Sequence, residues 1–192
     1  MKIFKKENLW FTSDTHWGHH NIIRYCNRPF ESADEMDQKL IENWNQLIGK
    51  NDIVFHLGDF AYKGTNSIKH YRDQLNGKVI LIRGNHDPKQ FGQLTPHFDG
   101  VYDYLEIDVE DKDANQGWQR ITLCHYSLRV WNRSHHGSWS LYGHSHGTLP
   151  DDPNSLSFDV GVDCHDYKPI SYNRVKEIMA TKTFTPIDHH GK

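Results

Sequence analysis

Short apolar runs typical of buried strands recur along the chain, and five of them are followed by residues of metal-ligand type. The runs, with the polar residues that follow them, are 9–13 before Asp14 and His16, 53–57 before Asp59, 79–83 before Asn85 and His86, 121–124 before His125, and 140–142 before His144 and His146. Open α/β sheets bind ligands outside the carboxyl ends of their strands. We therefore expect these side chains to converge in one cleft.

The segments between the runs predict helices, so the expected fold class is α/β. Ser32 and Glu35 form the signature of a capping box. After them, apolar residues from Met36 to Ile48 recur at spacings of three and four, which predicts a helix with one core-facing side. Shorter helices are predicted over residues 21–26, 67–75 and 171–179, with Ser171 as the N-cap of the last.

The second half of the chain is richer in predicted strands. Residues 101–109 alternate and predict a strand that pairs with 118–123 as a hairpin, with the polar segment 111–117 as its solvated tip. Residues 156–160 predict another short strand. Because no repeat, low-complexity tract or linker interrupts the pattern, we expect a single domain over residues 1–192.

The residue types at the strand ends suit divalent metal ions. Asp, Asn and His without Cys is the ligand set of a hard or borderline cation, not of a structural thiolate zinc site. Even without His86, seven such side chains are too many for one tetrahedral ion, and they suit two ions that share a ligand. Asp14 and His16 are two residues apart, so on an extended strand exit they project towards the same side, and His144 and His146 repeat that spacing. A glycine directly precedes the ligand-type residue in three blocks, where it allows approaches that a Cβ would obstruct: Gly58, Gly84 and Gly143.

The order of these blocks is similar to that of a known family. It reads Asp-x-His, Gly-Asp, Gly-Asn-His-Asp, His and Gly-His-x-His from Asp14 to His146. This order resembles the calcineurin-like metallophosphoesterase superfamily, and no position of the core pattern is missing. Residues 11–30 and 124–126 resemble the small stand-alone bacterial and phage members. The resemblance implies a four-layer α/β/β/α sandwich of two packed mixed sheets flanked by helices.

The resemblance also implies two divalent ions and a role for each ligand-type residue. The first ion is assigned Asp14, His16, Asp59 and His146; the second is assigned Asp59, Asn85, His125 and His144. Asp59 then bridges the ions, and we expect one carboxylate oxygen to face each of them. Mn²⁺ is the favoured metal, and Fe²⁺, Zn²⁺, Ni²⁺ and Mg²⁺ accept the same ligands. A hydroxide that bridges the ions is implied as the in-line nucleophile, and His86 as the general acid that protonates the leaving alkoxide.

Five further residues are candidates for supporting the site or for binding substrate: Asp87, Arg28, Arg133, His135 and Asp163. Asp87 is expected either to orient His86 or to cap a helix that begins at Pro88. Arg28 suits a substrate phosphate, since guanidinium matches phosphate geometry, but a surface charge is the favoured interpretation. Asp163 is expected either to hydrogen-bond a ligand histidine or to form a turn.

Residues 128–136 are the first choice for the substrate rim, because they lie between two ligand blocks and mix arginines, histidines and an aromatic residue. Trp131 within this segment suits stacking on a base, although burial is the commoner outcome for a tryptophan. Cys124 is expected in the core. The adjacent His189 and His190 are not assigned a metal role, because chain ends fray.

Composition limits the cellular setting and the partners. The net charge of −3 argues against binding nucleic acid through bulk positive charge. The three cysteines lie far apart without a CxxC motif, which favours free thiols in a reducing compartment. No run approaches the roughly 18 apolar residues of a membrane span. These features predict a cytoplasmic protein that acts on a small phosphate ester, with nucleotidic substrates included.

Three classes of function fit the resemblance: a phosphodiesterase, a phosphomonoesterase, and a catalytically silent scaffold. A silent scaffold predicts a damaged site, whereas His86 and all seven ligand-type residues are present. Protein phosphatases of the superfamily carry Gly-Asp-x-x-Asp-Arg-Gly, but residues 58–64 lack its second Asp and its Arg. A diester needs a general acid because its leaving alkoxide is basic, so phosphodiesterase activity is favoured. A nuclease is disfavoured, because 192 residues leave no space for the cap domain of larger relatives.

Overall fold

Ten strands form two five-stranded sheets in the computed structural model of the chain, which describes residues 2–62, 68–188 and 190. In chain order the strands are β1 (Lys2–Lys5), β2 (Leu9–Thr12), β3 (Ile53–His56), β4 (Lys78–Ile82), β5 (Gly100–Tyr102), β6 (Tyr104–Glu110), β7 (Trp118–Cys124), β8 (Trp139–Tyr142), β9 (Ser157–Asp159) and β10 (Ile170–Ser171). One sheet has the strand order β1-β6-β7-β8-β9 and the other β10-β2-β3-β4-β5.

Both sheets are mixed, and their parallel strands determine where the site lies. Strands β2 to β5 run parallel in one sheet, with β10 antiparallel at its edge. In the other sheet β7, β8 and β9 are parallel, while β6 is antiparallel to β7 and parallel to β1. All five ligand blocks follow the carboxyl ends of parallel strands, namely β2, β3, β4, β7 and β8.

The larger hydrophobic core lies between the two sheets. Phe11 and Phe55 from one sheet belong to the same buried cluster as Ile107, Ile121 and Leu141 from the other, and all five are fully buried. Alternate residues of a strand face opposite sides of its sheet, so the apolar positions meet here while their neighbours face outward.

Four α-helices flank the sheets within the described residues: α1 (His20–Tyr25), α2 (Ala33–Leu47), α3 (Ile68–Arg72) and α4 (Tyr172–Ala180). Helices α1 to α3 form a second core with the outer side of the β2–β3–β4 sheet, where Met36 and Trp44 of α2 lie with Val54 and Val79. Helix α4 packs against β2 and β10. The predicted α/β sandwich of two packed mixed sheets flanked by helices is thus confirmed. The flanking helices are few.

Side chains cap the two longer helices as the sequence predicts. Ser32 Oγ accepts a hydrogen bond from the Glu35 amide, and Ser171 Oγ accepts one from the Arg174 amide. Glu35 reaches back to the Glu31 amide, one residue earlier than in a standard capping box. Five short 3₁₀ segments complete the described structure: Lys6–Asn8, Phe91–Gln93, Asn115–Gly117, Ser134–His136 and Val162–Cys164.

Three predictions of secondary structure need correction. Residues 101–109 are not one strand: β5 pairs with β4 in one sheet, and only β6 forms the predicted hairpin with β7 in the other. The chain crosses from one sheet to the other at Asp103. The alternation of apolar and polar residues continues through this crossing, so the sequence does not show that the strand ends there. No α-helix begins at Pro88. The helix predicted over 67–75 is only Ile68–Arg72, and Ser67 lies outside the described residues.

Within the described part of the chain, no helix combines the length and apolar character that a membrane span requires.

Candidate metal centre

The five ligand blocks meet at the carboxyl ends of the two sheets. Two groups of side chains each place their ligand atoms within 4.8 Å of one another: Asp14, His16 and His146, and Asp59, His125 and His144. Asn85 joins the second group, since its Oδ1 lies 3.1 Å from His125 Nε2. The structure therefore brings together all seven residues proposed from the sequence as ligands.

Asp59 lies between the two groups. Its Oδ2 is 3.5 Å from His16 Nε2 on one side and 3.5 Å from His125 Nε2 on the other. His16 belongs to the first group, with Asp14 and His146, and His125 belongs to the second group, with His144 and Asn85. One carboxylate oxygen thus faces both halves of the cluster.

Backbone amides hold the two carboxylates by their other oxygens. Asp14 Oδ2 accepts a hydrogen bond of 2.9 Å from the His144 amide, and Asp59 Oδ1 accepts one of 2.8 Å from the His86 amide. Oδ1 of Asp59 thus has a backbone partner, whereas Oδ2 is the oxygen that lies near a histidine of each group. Asp14 Oδ1 has no hydrogen-bond partner among the described residues.

Five of the seven residues have a left-handed backbone, with φ between 48° and 68°: Asp14, His16, Asp59, His144 and His146. Such values are uncommon for residues other than glycine and cluster at functional sites. Asp14 and His16 are consequently not on an extended strand exit, and their common direction comes from two left-handed residues. The strand ends turn sharply, and this turning directs the side chains into the cluster.

Hydrogen-bond acceptors from both groups of ligand-type residues face one another. His125 Nδ1 lies 2.7 Å from the carbonyl of Leu57, which only accepts, so this nitrogen carries the proton. The unprotonated Nε2 then faces Asn85 Oδ1 and Asp59 Oδ2, which are also acceptors. Both ring nitrogens of His16 are buried without a partner in the part of the chain that the structure describes. Several acceptors without a donor between them form a site that suits a cation.

The titration of the buried groups favours the same conclusion. Burial raises the pKa of Asp14 to about 8, against the attraction of His146, so its anionic form needs a compensating positive charge. Burial also lowers the pKa of His16, and lowers that of His125 to about 4, so both rings are neutral near pH 7. Neutral imidazoles and carboxylates are the forms that bind divalent metal ions. The donor set therefore fits such ions.

Gly84 allows a close approach that fixes Asp59. A Cβ at Gly84 would lie 2.1 Å from Asp59 Oδ1 and 2.6 Å from the Asp59 amide nitrogen. The glycine thus lets the β4 loop contact the carboxylate at the centre of the cluster. A similar contact exists at Gly143, where a Cβ would lie 2.5 Å from Asp14 Oδ2.

Replacing Gly84 by alanine is expected to displace Asp59 and to lower both metal affinity and stability, the latter by about 1–3 kcal/mol. Gly92 in the same loop is the matched control, since a Cβ there meets nothing within 4 Å. Isothermal titration with Mn²⁺ and denaturant unfolding check both effects. Normal metal affinity in Gly84→Ala would contradict the role given to this contact.

A buried ion pair supports His146. Asp163 Oδ2 lies 2.7 Å from His146 Nδ1, and Arg28 donates to both Asp163 oxygens at 2.8 Å. Burial alone would raise the pKa of Asp163, but the hydrogen bonds from His146 and Arg28 hold it below its usual range. Asp163 accepts from His146 Nδ1, while His146 Nε2 lies 4.0 Å from Asp14 Oδ1. Burial alone would lower the pKa of His146, but the hydrogen bond to Asp163 and the charges of Asp14 and Asp163 raise it to about 10, so a metal ion must displace a proton from Nε2.

Arg28 is not the surface charge favoured from its sequence context. The residue is 4 % exposed, and its guanidinium also donates to the backbone carbonyls of Asp14 and Thr15. Its donors are thus used within the protein. Arg28 links the first ligand block to Asp163 and, through it, to His146.

Replacing Asp163 by asparagine is expected to weaken metal binding by about 10–100-fold, the usual effect of losing a partner of a ligand histidine. It also leaves Arg28 buried without a counter-charge, which costs roughly 3–5 kcal/mol of stability. Chelator competition measures the first effect and denaturant unfolding the second.

The bidentate pair of Arg120 with Asp108 is the matched control for Asp163→Asn. It lies midway along the β6–β7 hairpin, away from His125, with distances of 2.9 and 3.2 Å. Asp108→Asn should lower stability and leave metal affinity unchanged. If both variants changed metal affinity equally, Asp163 would have no specific role at the site.

Asp87 has a different role from the two expected. Its carboxylate accepts hydrogen bonds from the backbone amides of Asp59, Phe60 and Gly84, and it neither contacts the His86 ring nor caps a helix. Burial raises its pKa to about 6, although the Gly84 amide opposes the shift. Asp87 thus fixes the loop that carries Asp59.

The segment 128–136 lies along two other cavities. Residues Leu128–Trp131 line a cavity of about 970 Å³ together with residues 184–188, and Arg133 lines another of about 320 Å³. Trp131 is buried and donates to the Ser138 carbonyl, and His135 stacks on His190. None of these residues lines the cavity beside His86.

Two further residues discussed from the sequence lie elsewhere. His189 lies outside the described residues. Cys124 is half-buried rather than fully in the core.

Two features of the site had no signal in the sequence. His19 is buried beside His16 and stacks on Tyr62 with ring centroids 4.0 Å apart and planes at 6°. The contact depends on an isolated bridge between Trp17 and Ala61, which no local pattern predicts. Cys26 Sγ lies within 4.8 Å of the ligand atoms of His146 and Asp163.

Comparison with known proteins gives the same family as the motif order. A sequence model described as calcineurin-like phosphoesterase matches residues 8–190. An uncharacterized protein of Methanocaldococcus jannaschii, MJ1445, is 33 % identical over 181 residues, which cover 89 % of this chain and 90 % of that protein. The Gene 66 protein of Mycobacterium phage L5 is 36 % identical over 164 residues, 74 % of this chain and 79 % of the phage protein.

A solved structure supports the fold. The crystal structure of AQ665, a protein of unknown function from Aquifex aeolicus, superposes with a TM-score of 0.69 and 27 % identity, covering 88 % of this chain and 98 % of that one. The relatives have similar lengths, as expected for a small stand-alone member. Metal-dependent hydrolysis of phosphate esters is the activity that this family implies. The chain belongs to the calcineurin-like phosphoesterase family.

Proposed function

We propose that the protein is a phosphodiesterase that holds two divalent ions. The position of Asp59 Oδ2, at 3.5 Å from a histidine of each ligand group, carries this proposal. Asp14, His16 and His146 would hold one ion, and Asn85, His125 and His144 the other, with Asp59 shared. When bound, two such ions activate a water nucleophile and neutralise the charge of the phosphoryl oxygens.

The chain's own residues supply the proton and the orientation. The imidazole of His86 is exposed at the edge of the cluster, and its centroid lies 5.3 Å from that of His16. It belongs to neither ligand group, while its backbone amide is fixed by Asp59. A histidine that is positioned but not coordinated can donate a proton to the leaving oxygen. Asn85 contributes a neutral oxygen, which limits negative charge where an anionic substrate must approach.

The need for a general acid favours diesters over monoesters. A diester releases an alkoxide that must be protonated, and His86 is available for this step. The protein-phosphatase motif has an aspartate at the position of Tyr62, so protein phosphatase activity has no support at that position. A small, nucleotidic diester fits a net charge of −3 better than a nucleic acid does.

The metal and the compartment are part of the same proposal. Mn²⁺ suits a cluster of carboxylate, amide and imidazole ligands. Cys26, Cys124 and Cys164 are free thiols, which supports a reducing compartment such as the cytoplasm.

A metal-by-substrate activity matrix tests the proposal. Metal-free protein would be refilled with Mn²⁺, Fe²⁺, Zn²⁺, Ni²⁺ or Mg²⁺ and assayed on matched alkyl diesters and monoesters. We expect activity only with metal, greatest with Mn²⁺, and a higher kcat/KM for diesters. A consistent preference for monoesters would assign the protein to the phosphatases instead.

A further inference from the structure

A cavity of about 410 Å³ is lined by the candidate ligand Asn85 and by His86. Its size is within the usual range for small-molecule sites. The lining residues that bear on function are Tyr62, Asn85, His86, Lys89, Gln90 and Gln93. We propose that this cavity binds the leaving group of the substrate and selects an alcohol that carries both an aromatic ring and an anionic group, as a nucleoside phosphate does. This inference rests on the proposed phosphodiesterase function.

His86 determines which part of the substrate occupies the cavity. A general acid must lie within hydrogen-bond reach of the oxygen that it protonates. The cavity is lined by His86 and by the candidate ligand Asn85, so it adjoins both the acid and the phosphate position. An alcohol whose oxygen contacts His86 therefore extends into this cavity.

Tyr62 supplies an aromatic surface. One face of its ring is covered by His19 in a nearly parallel stack, yet the residue remains 41 % exposed. His19 is itself buried, and the Tyr62 amide donates to the Trp17 carbonyl, so the ring has a fixed position. No other described residue stacks on Tyr62, so its second face is available to stack on a base.

Lys89 makes the cavity attractive to an anion. It is exposed and has no ion-pair partner within residues 2–62, 68–188 and 190. Among the described residues that line the cavity, Asp87 is the only carboxylate, and its oxygens accept from three backbone amides. Gln90 and Gln93 add amide groups that hydrogen-bond to a polar ring or a phosphate. The positive charge thus has no internal counter-charge.

Arg83 fixes the loop that carries Lys89. Its guanidinium donates to the carbonyls of Pro88 and Lys89, and it lies 4.1 Å from the centroid of the Phe91 ring. The same group pairs with Asp103 at the crossing between the sheets. The loop is therefore fixed to β4 before substrate binds, which favours a selective cavity.

Three methyl phosphodiesters that differ in the second alcohol test the inference: a nucleoside, a nucleoside carrying a phosphate monoester, and an alkyl alcohol carrying a phosphate monoester. Metal-loaded wild-type protein should prefer the nucleoside phosphate by roughly tenfold in kcat/KM over either of the others. Products are identified by chromatography, so that the alcohol released is known.

Variants separate the two contacts. Lys89→Met should lower kcat/KM by roughly tenfold on the two diesters of phosphate-bearing alcohols and by less on the nucleoside diester. Lys89→Arg, which keeps the positive charge, should retain the wild-type preference. Tyr62→Leu should lose roughly tenfold on the two nucleosides, and Tyr62→Phe should retain activity. Lys50→Met, an exposed lysine at the amino end of β3, should match the wild type.

Activity on methyl nitrophenyl phosphate distinguishes the possible failures. If the wild type hydrolyses this diester but shows no preference among the three alcohols, the cavity assignment is wrong and the proposed function stands. If the Lys89 and Tyr62 variants lost activity equally on all substrates, the cavity assignment would also be wrong. If the metal-loaded wild type hydrolyses no diester, the proposed function fails and the inference fails with it.

Discussion

Replacing Asp59 by asparagine is expected to remove most of the bound metal and to lower turnover by roughly 10³-fold or more, since ions of this kind contribute several kcal/mol to catalysis. The carboxylate has two tasks: Oδ1 accepts from the His86 amide, and Oδ2 faces both ligand groups. An asparagine performs only one of them. If its oxygen stays with the His86 amide, its NH₂ group faces the cations; if it flips, the NH₂ group opposes the amide.

Metal content and turnover of Asp59→Asn should therefore fall together. Elemental analysis after dialysis gives the number of ions per chain, and circular dichroism confirms folding. Asp52→Asn is the control, because Asp52 lies at the amino end of the same strand and accepts from the Gly49 amide. Two tightly bound ions and full turnover in Asp59→Asn would show that the bridging role is wrong.

Replacing His86 by alanine is expected to lower turnover of alkyl and nucleoside diesters by about 10²–10⁴-fold, the usual effect of losing a general acid. Both ions should remain bound, because His86 belongs to neither ligand group. The loss should depend on the leaving group. A nitrophenolate is stable as an anion and needs little protonation, whereas a sugar alkoxide needs a full proton.

Comparing the two kinds of leaving group separates acid catalysis from phosphate orientation. His86→Ala should be strongly impaired on alkyl diesters and much less impaired on nitrophenyl esters, with metal occupancy measured in the same samples. Equal losses on both would falsify the acid role and would indicate that His86 mainly orients the phosphate. Loss of metal would instead assign His86 to the ligands.

The strand ends and the ligand blocks were predictable because both are local in sequence. Apolar runs followed by Asp, Asn or His define β2, β3, β4, β7 and β8, and parallel strands bring their carboxyl ends together. The α2 helix of 15 residues was equally clear, since Ser32 caps it and apolar residues recur at helical spacing from Met36 to Ile48. The crossing at Asp103 was not visible, because alternation is the same in either sheet.

Contacts between distant residues were not predictable from the sequence. Arg28 pairs with Asp163, 135 positions away, and only the fold shows that its guanidinium is buried. The left-handed backbone of Asp14 and His16 is likewise set by the loop contacts around them, since neither residue type requires it. Asp87 lies beside His86 in sequence, yet its carboxylate is directed at the Asp59 loop.

Anomalous diffraction from crystals grown with Mn²⁺ tests the central claim most directly. We predict two manganese peaks, one contacting Asp14, His16 and His146 and the other Asn85, His125 and His144, with Asp59 in contact with both. A single peak, or a second peak that does not contact Asp59, would contradict the two-ion centre.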